Sequence, residues 1–257
     1  MSVDLRLGRW QDVLAGVGPV GSVITDPPYG ARTHTGALQG RGVDGSDRLP
    51  IDYAHWTATD VHEFVGSWAP RTERWIVAMT SYDLMPAWER AADESGWYFY
   101  APIAAVISGM GVRVLADGPA NWTVPLAVMR RRAAQLGSKP GAIWRSLPGG
   151  YTGPSAATMG GGRGKPQWLL DALVRDYSDE GHVVCDPFAG WGSTLVAARN
   201  AGRIAIGAEE SPAVHARALD YLSGDSAAFR RSRPRSEKRD PSAPPSLFDL
   251  MAKEATP

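Results

Sequence analysis

The sequence predicts an α/β domain with a mostly parallel sheet flanked by helices, and three observations predict it. From about residue 166 to 222 buried-strand and helix patterns alternate strictly, the signature of parallel strands joined by right-handed crossovers. Two separate strand patterns, "VITDPPYG" (23–30) and "HVVCDPFAGWG" (182–192), stop on an aspartate followed by proline. At 257 residues the chain has the length of one large α/β domain or two small ones, and at 44% hydrophobic and 21% charged the composition of a globular protein.

The elements follow in order. The opening segment reads as a short strand, a small helix or turn, and a buried strand ending at Asp26. From Ala31 to about His55 the chain is Gly-rich and polar, a long loop of the kind that in compact domains is functional or disordered. Apolar residues at Val61, Phe64, Val65 and Trp68 have helical spacing, with Thr59 as the expected cap. "RWIVAMT" (74–80) is a buried strand and "LMPAWERAADESG" a helix; two more strands fit 97–107 and 122–129. Residues 131–164 read as a second irregular stretch. Then come a helix over "PQWLLDALVRDYS", the strand "HVVCD", the helix "STLVAARNAG", the strand "RIAIGAE" and the helix "SPAVHARALDYL". From Ser223 onward composition shifts to Arg, Ser and Pro without period, so 223–257 is expected to be a basic, disordered tail behind a domain of residues 1–222.

Several function classes drop out. No stretch reaches the ~18 apolar residues of a membrane span, and "MSVDLRLGRW" lacks the basic start and apolar core of a signal peptide, so a cytoplasmic protein is expected. The single cysteine, Cys185, excludes an intramolecular disulfide and a multi-cysteine metal site; its setting is that of a buried strand residue. The histidines have no metal spacing, so no metal is expected. Basic and acidic residues balance at 27 each, yet balance leaves room for local patches such as Arg130–Arg132 and "RRSRPRSEKR" at 230–239.

Chemistry concentrates in the two Asp-Pro strand ends. Pro27 and Pro28 have fixed φ and no N–H, so neither continues a helix or a central strand. With the Asp26 carboxylate and the Tyr29 ring they make a rigid set of hydrogen-bond acceptors beside an aromatic face; a plain Asp-Pro turn is the bland alternative. At the second site, Gly190 and Gly192 between strand and helix let the backbone pass close to a ligand and leave the helix N-terminus open to it. One strand later Glu209 stands at a strand end, where nucleotide-binding folds keep an acid for ribose hydroxyls. This loop carries neither GxGxxG nor a P-loop Lys-Ser/Thr pair, which favours a nucleoside without a phosphate chain.

"DPPY" followed much later by "DPFAGWGST" resembles the amino-methyltransferases that modify exocyclic nitrogens of DNA bases with S-adenosylmethionine. With the catalytic motif first, the order is similar to the family's β group, a circularly permuted arrangement, and the resemblance spans most of 3–222. It implies a Rossmann-like S-adenosylmethionine-dependent methyltransferase fold. It implies that Asp26 and the Pro27 carbonyl each accept an N–H of the target amine, that Pro28 stiffens the turn and that Tyr29 stacks on the flipped base. Lys165 and Pro166 would open a helix lining the methionine end of the cofactor; Asp186, Pro187, Phe188, Gly190, Gly192, Ser193 and Thr194 form the cofactor motif, and Glu209 is its ribose acid. Asp at the first motif position favours adenine N6; cytosine N4, an RNA substrate and a non-catalytic DNA-binding relative are the alternatives.

Recognition of a sequence would fall to the irregular segments. Arg131, Arg132, Lys139, Arg145 and Arg163 are candidate phosphate contacts, and Trp144 or Tyr151 candidates to wedge at the vacated base position. Arg32, His34 and Arg41 could close over the flipped base. Each is otherwise an ordinary loop residue. Family members often dimerise, so a homodimer is a further expectation. In the tail, Ser246, Leu247 and Phe248 resemble a sliding-clamp docking peptide, although Pro244 and Pro245 replace its usual start. One departure stands out: Gly8-Arg9 occupies the position of the family's Gly-Asp, and arginine cannot accept a hydrogen bond from the cofactor's adenine amine. Asp12 or a stacked Trp10 are the candidate substitutes, and Trp191 between the glycines would narrow or cover the pocket.

Overall fold

The computed structural model describes residues 2–33, 54–109, 121–131, 147–155 and 165–223. Among these, nine strands form one sheet: β1 (Val3–Leu7), β2 (Val20–Thr25), β3 (Thr72–Met79), β4 (Trp97–Phe99), β5 (Ile103–Ser108), β6 (Thr123–Arg131), β7 (Gly150–Pro154), β8 (Val183–Asp186) and β9 (Ile204–Glu209). The order is β1-β9-β8-β2-β3-β6-β5-β7, with β4 also on β6. The pairings of β1, β9, β8, β2 and β3 are parallel, and β7 runs parallel to β5; β6 is antiparallel to β3, β4 and β5. The helices are α1 (Trp10–Val13), α2 (Ala58–Trp68), α3 (Met85–Glu94), α4 (Gln167–Tyr177), α5 (Ser193–Asn200) and α6 (Pro212–Leu222).

The helices cover both faces, so the central strands are buried on both sides and read as continuous apolar runs; all six residues of β2 are buried. Ile24, Val77, Met79 and Val184 pack under Leu169, Leu173, Tyr177, Leu195 and Tyr221 from α4, α5 and α6. Val20, Val23, Ile76, Ala78 and Cys185 face the opposite way, into Phe64, Trp68, Leu84 and Trp88 of the α2–α3 layer. Burying aromatic and aliphatic side chains of this size contributes roughly 1.5–3 kcal/mol each. This layer holds the buried tryptophans of the described residues, Trp10, Trp68, Trp88 and Trp97, whereas Trp75 packs half-buried on the other face.

Several boundaries differ from the sequence expectation. The cap of α2 is Thr57, not Thr59: the Asp60 carboxylate accepts from the Thr57 N–H at 2.7 Å and from its hydroxyl at 2.6 Å, a Thr-x-x-Asp box two residues earlier. The expected strand 97–107 is two, β4 and β5, laid end to end along the same edge of β6. The stretch 131–164 is not wholly irregular: Arg131 closes β6, and residues 150–154 form β7. Strand β7 lies tight on α4, because Gly153 leaves room for the Trp168 ring, which a Cβ there would meet at 2.5 Å, and the Trp168 indole N–H donates to the Pro154 carbonyl at 2.9 Å. No helix among the described residues is long and apolar enough to cross a membrane.

Candidate functional site

Strands β2 and β8 are neighbours, with Ser22 against Val184 and Val23 against Cys185, so their carboxyl ends deliver Asp26 and Asp186 side by side. From β2 the chain crosses to β3 on one flank; from β8 it crosses to β9 on the other. That divergence is a topological switch point, where open α/β sheets keep a ligand crevice. The two Asp-Pro motifs therefore converge although about 160 residues separate them.

The two aspartates differ in role. Asp186 is buried, and its Oδ1 accepts from the Thr25 hydroxyl at 2.6 Å and the Phe188 N–H at 3.0 Å. Burial pushes its carboxyl up to about 6, against the opposing pull of hydrogen bonds from Thr25, Thr194 and Phe188. It braces the turn. Asp26 stands one residue beyond β2, with 30% of its side chain exposed. Its Oδ1 accepts from the Tyr29 hydroxyl at 2.9 Å and its Oδ2 from the Lys165 ammonium at 2.5 Å. The same ammonium stands 4.9 Å from the centre of the Tyr29 ring. Pro27 is buried and Pro28 half-buried, which fixes the turn below these groups.

The glycine turn follows the expected plan. Gly190 (φ 52°) and Gly192 (φ 82°) both adopt the left-handed conformation that favours glycine. A Cβ on Gly190 would meet nothing nearer than the Phe188 carbonyl at 4.0 Å, so the backbone there is open to a ligand. The turn is bonded to β9 by the Ala189 N–H on the Ala208 carbonyl at 2.9 Å. Glu209, at the end of β9, is partly buried; burial raises its carboxyl above the usual range while the Ser211 N–H, at 2.8 Å, and the Gly190 amide oppose this. Segment 165–167 closes the ring of contacts: beyond Lys165, the Gln167 amide donates to the Ser193 carbonyl at the start of α5, 3.2 Å away.

Other expected residues stand elsewhere. Tyr151 is buried on β7 with its hydroxyl on Asp176 at 3.0 Å, so it is a packing residue and not a wedge. Arg131 ends the antiparallel strand β6 and lies at the opposite end of the strands from Asp26, donating to the Pro70 carbonyl at 3.1 Å; it is not at the crevice. Trp10 is buried against Phe64 and Trp68 and cannot stack on a ligand, and Asp12 is exposed on α1. Trp191 lies under the Arg217 guanidinium, 5.3 Å from its ring, on the α6 side of the turn. Arg32 is exposed and stands 5.8 Å over the ring of Tyr82, itself 51% exposed just beyond β3. His34, Arg41, Arg132, Lys139, Trp144, Arg145, Arg163, Ser246, Leu247 and Phe248 lie outside the described residues. No metal-ligating cluster occurs among the described residues.

Sequence reasoning missed Trp56. Its N–H donates to the Tyr29 carbonyl at 3.0 Å, and its ring meets Phe188 edge-on at 5.3 Å, so one residue ties the Asp-Pro-Pro-Tyr turn to the glycine turn. The signal was present: an apolar residue directly before a Thr-x-x-Asp box marks the start of a helix and packs inward.

Residues 129–219 match the family model described as DNA methylase. No curated protein matches the chain in sequence. Among solved structures, the M1.HpyAVI–SAM complex superposes with a TM-score of 0.62 at 17% identity, covering 86% of this chain and 98% of the other. PvuII DNA methyltransferase, cytosine-N4-specific, gives 0.62 at 14% identity with 90% of each chain covered. TTHA0409 of Thermus thermophilus, a candidate DNA modification methylase solved with S-adenosyl-L-methionine, gives 0.56 at 20% identity, covering 91% of this chain and 95% of the other. The fold is the mixed α/β fold of S-adenosylmethionine-dependent DNA methyltransferases.

Proposed function

We infer, from a chain with that fold and a DNA methylase segment over 129–219, that it transfers a methyl group from S-adenosylmethionine to the exocyclic N6 of adenine in duplex DNA. The observation that carries the reading is the partly exposed Asp26 carboxylate at the switch-point crevice, directly beside the turn of Gly190 and Gly192. The crevice fits the cofactor: the backbone over Gly190 is open, and Glu209 offers a carboxylate to a ribose. Asp186, Pro187, Phe188, Ser193 and Thr194 would shape that turn, with Lys165 and Pro166 at the methionine end. When bound, the cofactor supplies a methyl group on a sulfonium.

The protein's own part is positioning. An adenine amine is a weak nucleophile because its lone pair is delocalised into the ring. Asp26 and the Pro27 carbonyl each accept one of its N–H bonds, which directs the lone pair outward and stabilises the positive charge developing on nitrogen. Fixed acceptors do this without reorganising, and proline supplies the stiffness. Tyr29 offers its ring to a base swung out of the duplex. Arg132, Lys139, Arg145 and Arg163 remain the candidate phosphate contacts, Arg32, His34 and Arg41 the residues that would close over the flipped base, and Trp144 the remaining wedge candidate. Cytosine N4 is the second reading, because the cytosine-N4-specific PvuII enzyme superposes with the same TM-score as M1.HpyAVI; the Asp at position 26 favours adenine.

The experiment is methyl transfer from labelled S-adenosylmethionine to mixed-sequence duplex DNA, with products digested to nucleosides and identified by mass, alongside Asp26→Ala. N6-methyladenine from the wild type alone supports the reading. N4-methylcytosine keeps the mechanism and changes the base; transfer to RNA alone, or to nothing, overturns it.

A further inference from the structure

Both oxygens of the Asp26 carboxylate are engaged, Oδ2 by the Lys165 ammonium at 2.5 Å and Oδ1 by the Tyr29 hydroxyl at 2.9 Å. On the functional reading above, Asp26 must accept an N–H from the target amine and face the positive charge that grows there. A carboxylate already neutralised by an ammonium is a poor partner for a second cation, since the two positive charges would meet at hydrogen-bonding range. The ammonium therefore has to give up its hold on Oδ2 before the amine can use it fully.

Lys165 is built to move. It lies just before α4, keeps 17% of its side chain exposed, and carries its ammonium over the Tyr29 ring on a flexible four-carbon stem. Two residues on, Gln167 touches the carbonyl of Ser193, so this short segment meets the Asp26 carboxylate at one end and the start of α5 at the other. S-adenosylmethionine carries one carboxylate, on its methionine end, and that group needs a cation.

We propose that Lys165 exchanges carboxylates: it holds Asp26, passes to the carboxylate of the incoming cofactor, and so frees Asp26 for the target amine only in the loaded protein. The inference rests on the cofactor reading and deepens it. It makes Lys165 a positioning residue, acting on the reaction through Asp26. It also has an unusual thermodynamic consequence. The Lys165–Asp26 pair competes with cofactor binding, so abolishing the Asp26 charge tightens binding, by linkage.

The test is calorimetric and needs no turnover. S-adenosylhomocysteine, which keeps the carboxylate but lacks the sulfonium charge, is titrated into wild type, Asp26→Asn, Lys165→Met and the double variant. The neutral 5′-deoxy-5′-methylthioadenosine, without a carboxylate, serves as control, and thermal melting confirms that each variant is folded. Asp26→Asn is expected to tighten S-adenosylhomocysteine about two- to fivefold, the upper part of the range for a partly exposed pair. Lys165→Met should weaken it, Asp26→Asn should add nothing in the Lys165→Met background, and the control should respond to neither. An Asp26→Asn effect that is absent, of opposite sign, or unchanged without Lys165 overturns the exchange while leaving the cofactor reading intact. No binding of either ligand by wild type overturns both.

Discussion

The Thr25 hydroxyl donates to the buried Asp186 carboxylate at 2.6 Å, and this contact bolts the strand that carries the Asp26 turn to the strand that carries the glycine turn. It has a measurable worth. Thr25→Val keeps the shape of the side chain but leaves a buried carboxylate short of a donor, which costs about 1.5–3 kcal/mol. A lower urea midpoint with an unchanged slope is the expected result.

Asp186 also gives stability a pH dependence. Its carboxyl titrates at about 6 in the fold, against 3.8 as the ordinary value, because burial penalises the charge. Between those values the folded protein holds a proton that the unfolded chain has lost, so this contribution is full below about pH 4 and disappears as pH rises through 6. The loss amounts to about 2–3 kcal/mol. Asp186→Asn retains an oxygen for Thr25 and Phe188 but has no proton to exchange. Urea midpoints measured from pH 4 to 7 should slope less steeply for this variant than for the wild type.

Tyr29 separates ring from hydroxyl. Tyr29→Phe removes the 2.9 Å bond to Asp26 but keeps a face for the base and for Lys165, and methyl transfer should fall about three- to tenfold. Tyr29→Ala removes both and should lower it roughly 15- to 1,500-fold, a base-stacking loss of about 1–3 kcal/mol adding to the lost hydrogen bond. Single-turnover rates at saturating cofactor distinguish the two.

Two arginines make opposite predictions. Arg32, exposed beside Tyr82 on the crevice edge, should contact a phosphate: Arg32→Ala weakens binding about equally across sequences and lowers the salt slope by about one. Arg131→Ala, at the other end of the strands, should leave both affinity and slope unchanged. Binding measured at several salt concentrations decides between them.

The sequence was most informative where chemistry and local backbone rule coincide. Asp26 before two prolines, and Asp186 before Gly190 and Gly192, are strand ends written in residues that cannot do otherwise. What local pattern could not supply was pairing at a distance. β7 holds two glycines and a proline in five residues and reads as loop; it becomes a strand because β5 offers an edge and Trp168 fills the space over Gly153. Tyr151 sits on that strand, so its place among the loop candidates failed with it. Arg131 was misplaced for a different reason, since nothing in "AVMRRR" says that β6 runs antiparallel and carries its end away from the crevice. Trp10 looked like a ligand contact and is core, because a four-residue helix needs an anchor and an indole provides it. At Thr57 the box lay in plain view, displaced by two residues from the cap expected from apolar spacing alone.

The first strand of the chain has the longest wait for a partner. Among the described residues β1 pairs only with β9, Val3 standing against Ala205, about 200 residues later. At a translation rate of about 5–20 residues per second, the nascent chain carries an unpaired β1 for roughly 10–40 s. During that interval its pairing edge lacks its native strand, and a neighbouring nascent chain offers the same strand. Asp4 and Arg6, bonded to each other at 2.8 Å and spaced along the strand, put charge where such pairing would start. Uncharged residues at both positions would remove that guard, along with the Arg6 bond to the Val13 carbonyl at 2.8 Å, and make synthesis hazardous.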